Sequence, residues 1–300
     1  MKSSDFRFLD RLRVRWAEID AQKIVFNAHY LMYFDTAVAG YWRALAMPYA
    51  QTMERLAGDI FVRKASLEYH ASARYDDVLD IGVRCARVGT SSMLFSTAVF
   101  RHDQLLVSGE LIYVFADPQA QIAKPVPPLL RNVFESFEAG HPMVEVRLGA
   151  WAELGADARA LRTEVFVNEQ NIPVELEWDD ADHTALHAVG YNRFGSPVAT
   201  GRLLQSVPDG SSATRIGRIG CTDHIGRIGR MAVTQALRGS GVGRLVLDAL
   251  TTAAAQRGDH SVLLHAQSSA ASFYRRAGFV EQGLPFDEAG IVHIEMTRTV

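Results

Sequence analysis

The chain has 300 residues, of which 48% are hydrophobic, and its 31 basic and 34 acidic side chains give a formal net charge of -3. This length predicts two domains, each large enough to close its own hydrophobic core. The near-balance of charge argues against nucleic-acid binding, which usually requires a strongly basic domain. The two cysteines, Cys85 and Cys221, have no spacing typical of a disulfide framework or a zinc site. We therefore expect no metal.

No targeting or membrane signal is evident in the sequence. The start, Met1 to Asp5, leads into a predicted strand instead of an apolar signal core. No stretch approaches the roughly 18 consecutive apolar residues that a membrane-spanning helix needs. We expect a cytoplasmic protein without a membrane partner.

The first part of the chain has the pattern of one long helix accompanied by strands. Apolar residues at positions 31, 34, 38, 42 and 45 predict a helix over residues 28–45. Glycine and proline in the segment Ala139-Gly140-His141-Pro142 should end a short helix before a strand at 144–148, so we expect domains at 1–140 and 141–300. Strands are predicted over 7–16, 61–71, 78–88, 93–101 and 105–115, and the short helix over 129–138.

A strand, a glycine-rich loop and a helix follow each other after residue 228. Glycines at 239, 241 and 243 would let a phosphate approach the main chain, and the first helical N–H groups and the helix dipole favour negative charge there. The loop lacks the Gly-Lys-Ser/Thr ending of a P-loop. The next strand, from 261, lacks the acid that a dinucleotide fold places on the ribose. The alternative interpretation is a glycine-rich helix cap without a ligand.

This loop resembles the acetyl-CoA pyrophosphate loop of the GNAT acyltransferases, whose pattern is filled by Arg238, Gly241 and Gly243. The resemblance implies an α/β domain with a mixed sheet and flanking helices. Further motifs in the same order are Leu161-Arg162, Val165-Phe166-Val167, Glu169-Gln170, Ile172-Pro173, Glu177 with Asp179, Leu264-His265-Ala266-Gln267, Phe273 to Phe279, and Phe286 to Ile291 with His293 and Met296. The resemblance to the GNAT acyltransferases also implies which residues contact acetyl-CoA. They are the backbone of Met231, Ala232 and Val233 and the loop residues Arg238, Gly239, Ser240, Gly241, Val242 and Gly243.

Acetyl transfer from CoA to an amine requires that the amine lose a proton and that the leaving thiolate gain one. Tyr274 lies on the helix where the GNAT family often keeps its general acid, and the resemblance implies that role for it. The alternative is an aromatic side chain that only packs on the sheet. The general base stays open among Glu169, Glu177, Asp179, His187 and Glu288.

A second signature lies near the N-terminus, in Arg13 to Ala21, Val25 to Leu31 and Tyr33 to Asp35. It resembles the hot-dog acyl-CoA thioesterases of the 4-hydroxybenzoyl-CoA thioesterase type. The resemblance implies an α+β domain in which an antiparallel sheet wraps a long helix. Asp20 matches the family's catalytic aspartate, and Asn27 is expected to open the helix as an N-cap residue. Lys23 stands where glycine is usual, and Asn27 where histidine is frequent.

Thioester hydrolysis requires a base or nucleophile and donors for the oxyanion. We expect Asp20 to be the base or nucleophile and the backbone N–H of Asn27 to be an oxyanion donor; the alternative for Asp20 is a turn aspartate. Strand alternation predicts Glu18 on the same face as Asp20, where it either raises the pKa of Asp20 or is solvated. His29 and Tyr30 are weaker candidates.

Together these patterns predict a bifunctional enzyme that acts on acyl-CoA and acetyl-CoA, with an unknown amine as acceptor. The alternatives are a thioesterase whose GNAT domain only senses acetyl-CoA, and a structural assembly protein. We expect a homodimer or homotetramer formed through the hot-dog domain. An internal echo, residues 215–220 against 224–230, is interpreted as a solvated hairpin extension or as an arginine clamp for an acidic substrate.

Overall fold

The structure, a computed structural model, describes residues 1–204, 224–288 and 290–300. The first copy of the internal echo and Cys221 lie outside the described residues. The chain divides into two compact units, Met1–Met143 and Val144–Val300, which are described separately below.

The first unit is a five-stranded, fully antiparallel sheet with a long helix, which is the predicted hot-dog layout. The strand order is β1-β3-β4-β5-β2, so that β1 and β2 form the edges. The helices are α1 (His29–Ala44), α2 (Tyr49–Arg55) and α3 (Pro128–Glu138), and the strands are β1 (Phe8–Arg13), β2 (Asp59–Tyr69), β3 (Val78–Val88), β4 (Ser92–Arg101) and β5 (Gln104–Ala116).

The core of this unit is formed by aromatic side chains between α1, α3 and the sheet. The ring of Tyr41 on α1 lies 5.7 Å from that of Phe95 on β4, and Trp42 lies 5.6 Å from Phe134 on α3. All four are buried, and each buried aromatic ring of this kind contributes roughly 2–3 kcal/mol through the hydrophobic effect. Helix α1 is therefore held by its apolar face, as the spacing of its residues predicted.

The segment between β1 and α1 departs from the prediction. The strand expected to continue to residue 16 ends at Arg13, and Trp16–Glu18 form a 3-10 turn. The turn closes because the backbone N–H and the guanidinium of Arg15 both donate to the Glu18 carboxylate at 2.7 Å. Glu18 is thus not on a strand face shared with Asp20, and that expectation was wrong.

The second unit is a seven-stranded mixed sheet with helices, which confirms the predicted GNAT class. The strand order is β11-β12-β10-β9-β8-β7-β6, with β9 and β10 parallel and the other pairs antiparallel. The described ranges contain no helix that is long and apolar enough to span a bilayer. The helices are α4 (Trp151–Arg162), α5 (Val174–Glu177), α6 (Val242–Arg257) and α7 (Ala271–Arg276), with a π-helical turn at Thr163–Glu169, and the strands are β6 (Val144–Gly149), β7 (Leu186–Asn192), β8 (Pro197–Leu204), β9 (Ile225–Val233), β10 (Ser261–Gln267), β11 (Val280–Glu288) and β12 (Ile291–Thr299).

Strands β9 and β10 separate in the middle of this sheet. They pair only where Ser261–Leu263 lie beside Ile225–Arg227, and beyond these residues the ladder stops. Strand β9 is also irregular in its pairing with β8, since the register shifts between Thr200 and Arg202 and Arg230 has a φ of +52°. A bulge of this kind bends its strand and redirects side chains. The separation opens a cleft between the two strands.

Candidate active sites

The cleft in the second unit has a volume of about 700 Å³. Its wall combines residues of β9, β10, β12 and α7, among them Met231, Gln267, His293 and Tyr274. A concave site with a few convergent polar groups is the usual form of a small-molecule site.

The glycine loop precedes α6, which begins at Val242. Gly239 and Gly241 have φ values of +82° and +90°, a conformation that favours glycine, and a Cβ on either would meet only open space. The amides of Gly239, Gly241, Val242 and Gly243 donate to no acceptor in the part of the chain that the structure describes. Ser240 differs, because its backbone N–H donates to the Leu237 carbonyl at 3.3 Å and its hydroxyl donates to the same carbonyl at 2.6 Å. The loop thus presents four unengaged N–H donors at a helix N-terminus, which suits an anion.

Arg238 is already bound within the protein. Its Nη1 and Nη2 donate to the two carboxylate oxygens of Glu169, each at 2.6 Å, and its Nε donates to the Val233 carbonyl at 3.2 Å. This pairing lowers the pKa of Glu169 through the hydrogen bond from Arg238. Glu169 is therefore an ion-pair partner of the loop.

The end of β9 has one paired and one open edge. Ala232 and Val233 pair with Thr200 and Ala199 of β8, whereas β10 pairs with β9 only as far as Arg227. The backbone of Met231 to Val233 can therefore bond to an extended ligand in the cleft, in the manner of strand addition.

Tyr274 is buried on α7 and lines the cleft. Its ring lies 4.9 Å from Phe273 and 5.9 Å from Phe279, so the packing expected under the alternative interpretation is present. Burial raises the pKa of Tyr274 to about 12, and its hydroxyl bonds to no described residue. A phenol that keeps its proton and lines a cleft can donate a hydrogen bond to a departing sulfur.

Two of the candidate bases, Glu177 and Asp179, lie in an arginine-rich network. Arg162 donates to Glu177 at 2.5 Å and to Asp182 at 2.7 Å, and all three side chains are at most 4% exposed. Arg202 contacts Asp179 and Asp182, each at 2.6 Å. Carboxylates bound in this way act first as structural anchors.

The pKa shifts of the two candidate bases have opposite directions. Burial raises the pKa of Glu177 despite the neighbouring arginines. The hydrogen bond from Arg202 lowers the pKa of Asp179, so this carboxylate is a weak proton acceptor. In contrast, Arg230 makes only contacts of 3.2 Å or longer with Glu177 and Asp179.

The remaining base candidates are placed differently. His187 is buried, its ring lies 4.8 Å from that of Trp151, and its Nε2 lies 2.9 Å from the Asp182 carbonyl. Burial lowers the pKa of His187, and this residue is not among those that line the cleft. Glu288 does line the cleft, with Oε2 at 3.3 Å from Nδ1 of His265.

Three polar residues of the cleft were named from the sequence only as parts of motifs, without a role in the site. His265, Gln267 and His293 line it, and Gln267 donates to Gln170 at 2.9 Å. The signal for two of them was alternation along β10, which places residues 265 and 267 on one face. Strand β10 extends to Gln267, so both residues belong to it.

In the first unit, Asp20 closes a tight turn before α1. Its Oδ1 accepts the backbone N–H of Gln22 at 2.8 Å, and its own N–H donates to the Ile24 carbonyl at 2.9 Å. Lys23 within the turn has a φ of +61°. Oδ2 of Asp20 bonds to none of the described residues, so the turn fixes the carboxylate while one oxygen stays available.

Asn27 does not cap the helix. Helix α1 begins at His29, its N-cap residue is Ala28, and no side chain caps it. The expectation of an Asn27 N-cap was wrong, because residues 26–29 form a turn in which the His29 N–H donates to the Phe26 carbonyl at 2.9 Å. The backbone N–H of Asn27 has no acceptor among the described residues, and its carbonyl accepts the Tyr69 hydroxyl at 3.2 Å.

Glu18, His29 and Tyr30 surround this turn. Oε2 of buried Glu18 accepts a hydrogen bond from the Tyr33 hydroxyl at 2.8 Å. Burial alone would raise the pKa of Glu18, but the hydrogen bonds from Arg15 and Tyr33 have the larger effect, so the pKa is lowered. Tyr30 accepts the Ala73 N–H at 3.0 Å, which is a packing role. Nδ1 of His29 is buried and has no partner in the described part of the chain.

A hollow of about 760 Å³ in the first unit lies away from this turn. It is lined by residues that include Arg84, Cys85 and Glu138, and not by Asp20 or Asn27. The Asp20 turn instead lies in a region with exposed aromatic rings: Trp16 is 76% exposed and Phe26 48%. Within the described ranges, no three His, Cys, Asp or Glu side chains are arranged to hold a metal ion.

Comparisons with known proteins agree with both units. The family described as Thioesterase superfamily matches residues 22–108, and the family described as Acetyltransferase (GNAT) domain matches residues 211–300. The chain is 34% identical over 143 residues to the Uncharacterized N-acetyltransferase YjcF of Bacillus subtilis (strain 168), covering 47% of this chain and 90% of that protein. It is 31% identical over 96 residues to a candidate esterase of Aquifex aeolicus (strain VF5), covering 32% of this chain and 74% of that protein.

A crystal structure of a candidate N-acetyltransferase from Lactobacillus plantarum is similar at 31% identity with a TM-score of 0.44, covering 52% of this chain and 98% of that one. The family matches and the two relatives at 34% and 31% identity show that the chain belongs to the thioesterase superfamily through one domain and to the GNAT acetyltransferases through the other. Both resemblances seen in the sequence are confirmed.

Proposed function

We propose that the protein is a bifunctional cytoplasmic enzyme that hydrolyses acyl-CoA thioesters in its first domain and transfers acetyl from acetyl-CoA to an amine in its second. The observation that carries the acetyl-transfer half of this proposal is the cleft between β9 and β10, which is lined by Met231 at an open strand edge and by Tyr274, together with the loop of unengaged amides that precedes α6. These three features match the three parts of acetyl-CoA that must be held or protonated.

In the second domain, the pyrophosphate binds the amides of Gly239, Gly241, Val242 and Gly243, where the helix dipole adds to the attraction. The pantetheine arm pairs with the open edge of Met231 to Val233. The hydroxyl of Tyr274 donates to the thioester sulfur and protonates it as the C–S bond breaks. The phenol carries its proton at neutral pH, as a general acid must.

In the first domain, Asp20 acts as the base or nucleophile and the Asn27 N–H stabilises the oxyanion. The turn that fixes the Asp20 carboxylate and the unengaged amide of Asn27 support this assignment. We propose that a second copy of this chain completes the site, because the surrounding aromatic side chains are exposed in a single chain. The assembly is then a homodimer or homotetramer.

The test is to measure both reactions on one preparation: thiol release from a panel of short-, long- and aromatic-chain acyl-CoAs, and CoA release from acetyl-CoA that depends on added amine. The acceptor panel comprises polyamines, amino acids, aminoglycosides and arylamines. Saturable acetyl-CoA binding without transfer to any amine would instead support the alternative in which the GNAT domain only senses acetyl-CoA.

A further inference from the structure

Two histidines flank the ring of Phe286 in the GNAT cleft. The ring centroid of His265 on β10 lies 4.8 Å from that of Phe286, and His293 on β12 stacks on the same ring at 6.2 Å with an interplanar angle of 25°. Both histidines line the cleft that also contains Tyr274. They are therefore candidates for the proton acceptor that acetyl transfer needs.

The tautomer of His293 follows from its hydrogen bond. Its Nδ1 lies 2.8 Å from the backbone carbonyl oxygen of Ile291. A carbonyl oxygen can only accept, so Nδ1 carries the hydrogen, and the neutral ring keeps its lone pair on Nε2. That Nε2 bonds to no described residue, and it is not among the buried unpartnered atoms, so it is accessible. The ring is thus oriented with its basic nitrogen free.

The environment of His265 is different. Its Nδ1 lies 3.2 Å from Nη2 of Arg227 and 3.3 Å from Oε2 of Glu288. The arginine requires a lone pair on this nitrogen and the carboxylate requires a proton on it, so a neutral ring satisfies only one of them. Its Nε2 lies 3.6 Å from Oε2 of Glu295. Both nitrogens of His265 therefore face charged groups of the protein.

We propose that Nε2 of His293 is the general base of acetyl transfer, an inference that rests on the proposed function of this cleft. Nε2 takes one proton from the acceptor ammonium and passes it to solvent. The neutral amine forms a C–N bond to the acetyl carbonyl carbon. As the C–S bond breaks, its electron pair goes to sulfur, which receives the Tyr274 proton. The adduct nitrogen then loses a second proton, which restores Tyr274.

Charges of both signs surround His293. The titratable and charged groups on the four strands of this wall are Arg227 and Arg230 on β9, His265 on β10, Glu281, Asp287 and Glu288 on β11, and Glu295 and Arg298 on β12. The four carboxylates are nearly balanced by the three arginines, so the assignment rests on the orientation of the His293 ring and not on a field that attracts cations.

The test compares His293→Asn with the matched variant His265→Asn. Asparagine at 293 keeps a donor for the Ile291 carbonyl but offers no basic nitrogen. We expect His293→Asn to lower kcat/KM for amine acetylation by about 10²-fold, the scale of a positioned base. It should also abolish the acidic limb of the pH profile while leaving acetyl-CoA affinity intact. His265→Asn should keep that limb.

If the pH profile of His293→Asn keeps the same acidic limb as that of the parent protein, His293 is not the general base. A second readout is the 15N chemical shifts of the His293 ring: the neutral form should carry its hydrogen on Nδ1, and an Nε2–H tautomer would also overturn the assignment. The outcomes separate the two hypotheses. If the parent protein transfers acetyl to no amine of the panel, the proposed function itself is wrong; if it does transfer acetyl and His293→Asn behaves as the parent, only the base assignment is wrong.

Discussion

Arg238 and Glu169 form a two-point ion pair, with both guanidinium nitrogens at 2.6 Å from the two carboxylate oxygens, at the loop proposed to bind the CoA pyrophosphate. The arginine side chain is 41% exposed and that of the glutamate 32%. A bound phosphate must compete with Glu169 for Arg238, and the carboxylate also repels it.

The first prediction follows from this pair. Glu169→Gln should tighten acetyl-CoA binding by roughly two- to five-fold, since an exposed pair of this kind contributes up to about 1 kcal/mol. Arg238→Gln should weaken binding. Calorimetric titration with acetyl-CoA measures both. Weaker binding by Glu169→Gln would show that Glu169 orients Arg238 for the ligand.

The second prediction tests the glycine loop. Gly241→Asp should abolish acetyl-CoA binding while acyl-CoA hydrolysis persists, because a carboxylate replaces open space where the pyrophosphate must approach. Gly195→Asp is the matched control: Gly195 also has a positive φ, +72°, with open space around its Cβ, but it lies in the turn between β7 and β8. Equal affinities of the two variants would remove the loop from the site.

The third prediction concerns the buried arginine. Arg162→Leu leaves Asp182 with Arg202 alone and Glu177 with only the 3.4 Å contact to Arg230, and the loss of one member of a buried pair costs about 3–5 kcal/mol. The matched control, Arg275→Leu, removes an exposed pair with Glu281 and should cost at most about 1 kcal/mol. Urea unfolding measures both costs. The transition to follow is the one whose midpoint rises when acetyl-CoA is added. Similar midpoints for the two variants would contradict the structural role of the network.

The fourth prediction concerns acid stability. The hydrogen bond from Arg202 lowers the pKa of Asp179, so in acid the unfolded chain binds the proton first. The stability that Asp179 contributes is present above the ordinary carboxyl pKa of about 3.9 and is lost as pH falls through its lower folded value. Asp179→Asn should therefore flatten the fall of Tm below about pH 4. The pKa of Glu177 is shifted upward instead, so its contribution to stability changes at a higher pH than that of Asp179. An unchanged slope would contradict the prediction.

The fifth prediction concerns self-association through the first domain. Trp16 is 76% exposed and its ring lies 5.3 Å from that of Tyr75, which is 52% exposed. Trp16→Asp should weaken the oligomer by tenfold or more, because a buried indole contributes about 2 kcal/mol or more to an interface. Leu284→Asp, an 86% exposed position of the second unit, is the control. Light scattering at micromolar concentration measures the oligomeric state of the parent and of both variants. A monomeric parent protein would contradict the proposed assembly.

Helices and strands whose apolar side chains recur at a regular spacing could be predicted from the sequence. Strand β3 has the predicted limits, Val78–Val88, and α1 starts and ends one residue inside its predicted range, because side-chain period and propensity act locally. The end of β1 could not be predicted in the same way. A turn closed by Arg15 and Glu18 overrides the alternation there.

The candidate site was predictable only in part. The glycine loop could be found because its residues are consecutive and their backbone requirement is specific. The network of Arg162, Asp182 and Arg202 could not, since its members lie 20 residues apart along the chain and only the tertiary fold brings them together. The role of His293 could not be predicted for a similar reason, because its free nitrogen is defined by a hydrogen bond to a backbone carbonyl.

The central claim is that one chain contains two independent CoA-dependent active sites, and crossed substitution tests it most directly. Asp20→Asn should lower acyl-CoA hydrolysis by at least about 10²-fold and leave amine acetylation intact, whereas Tyr274→Phe should do the reverse without weakening acetyl-CoA binding. Both rates are measured for the parent and the two variants on the same acyl-CoA and amine panels. Parental hydrolysis by Asp20→Asn, or parental acetylation and pH dependence in Tyr274→Phe, would contradict the account.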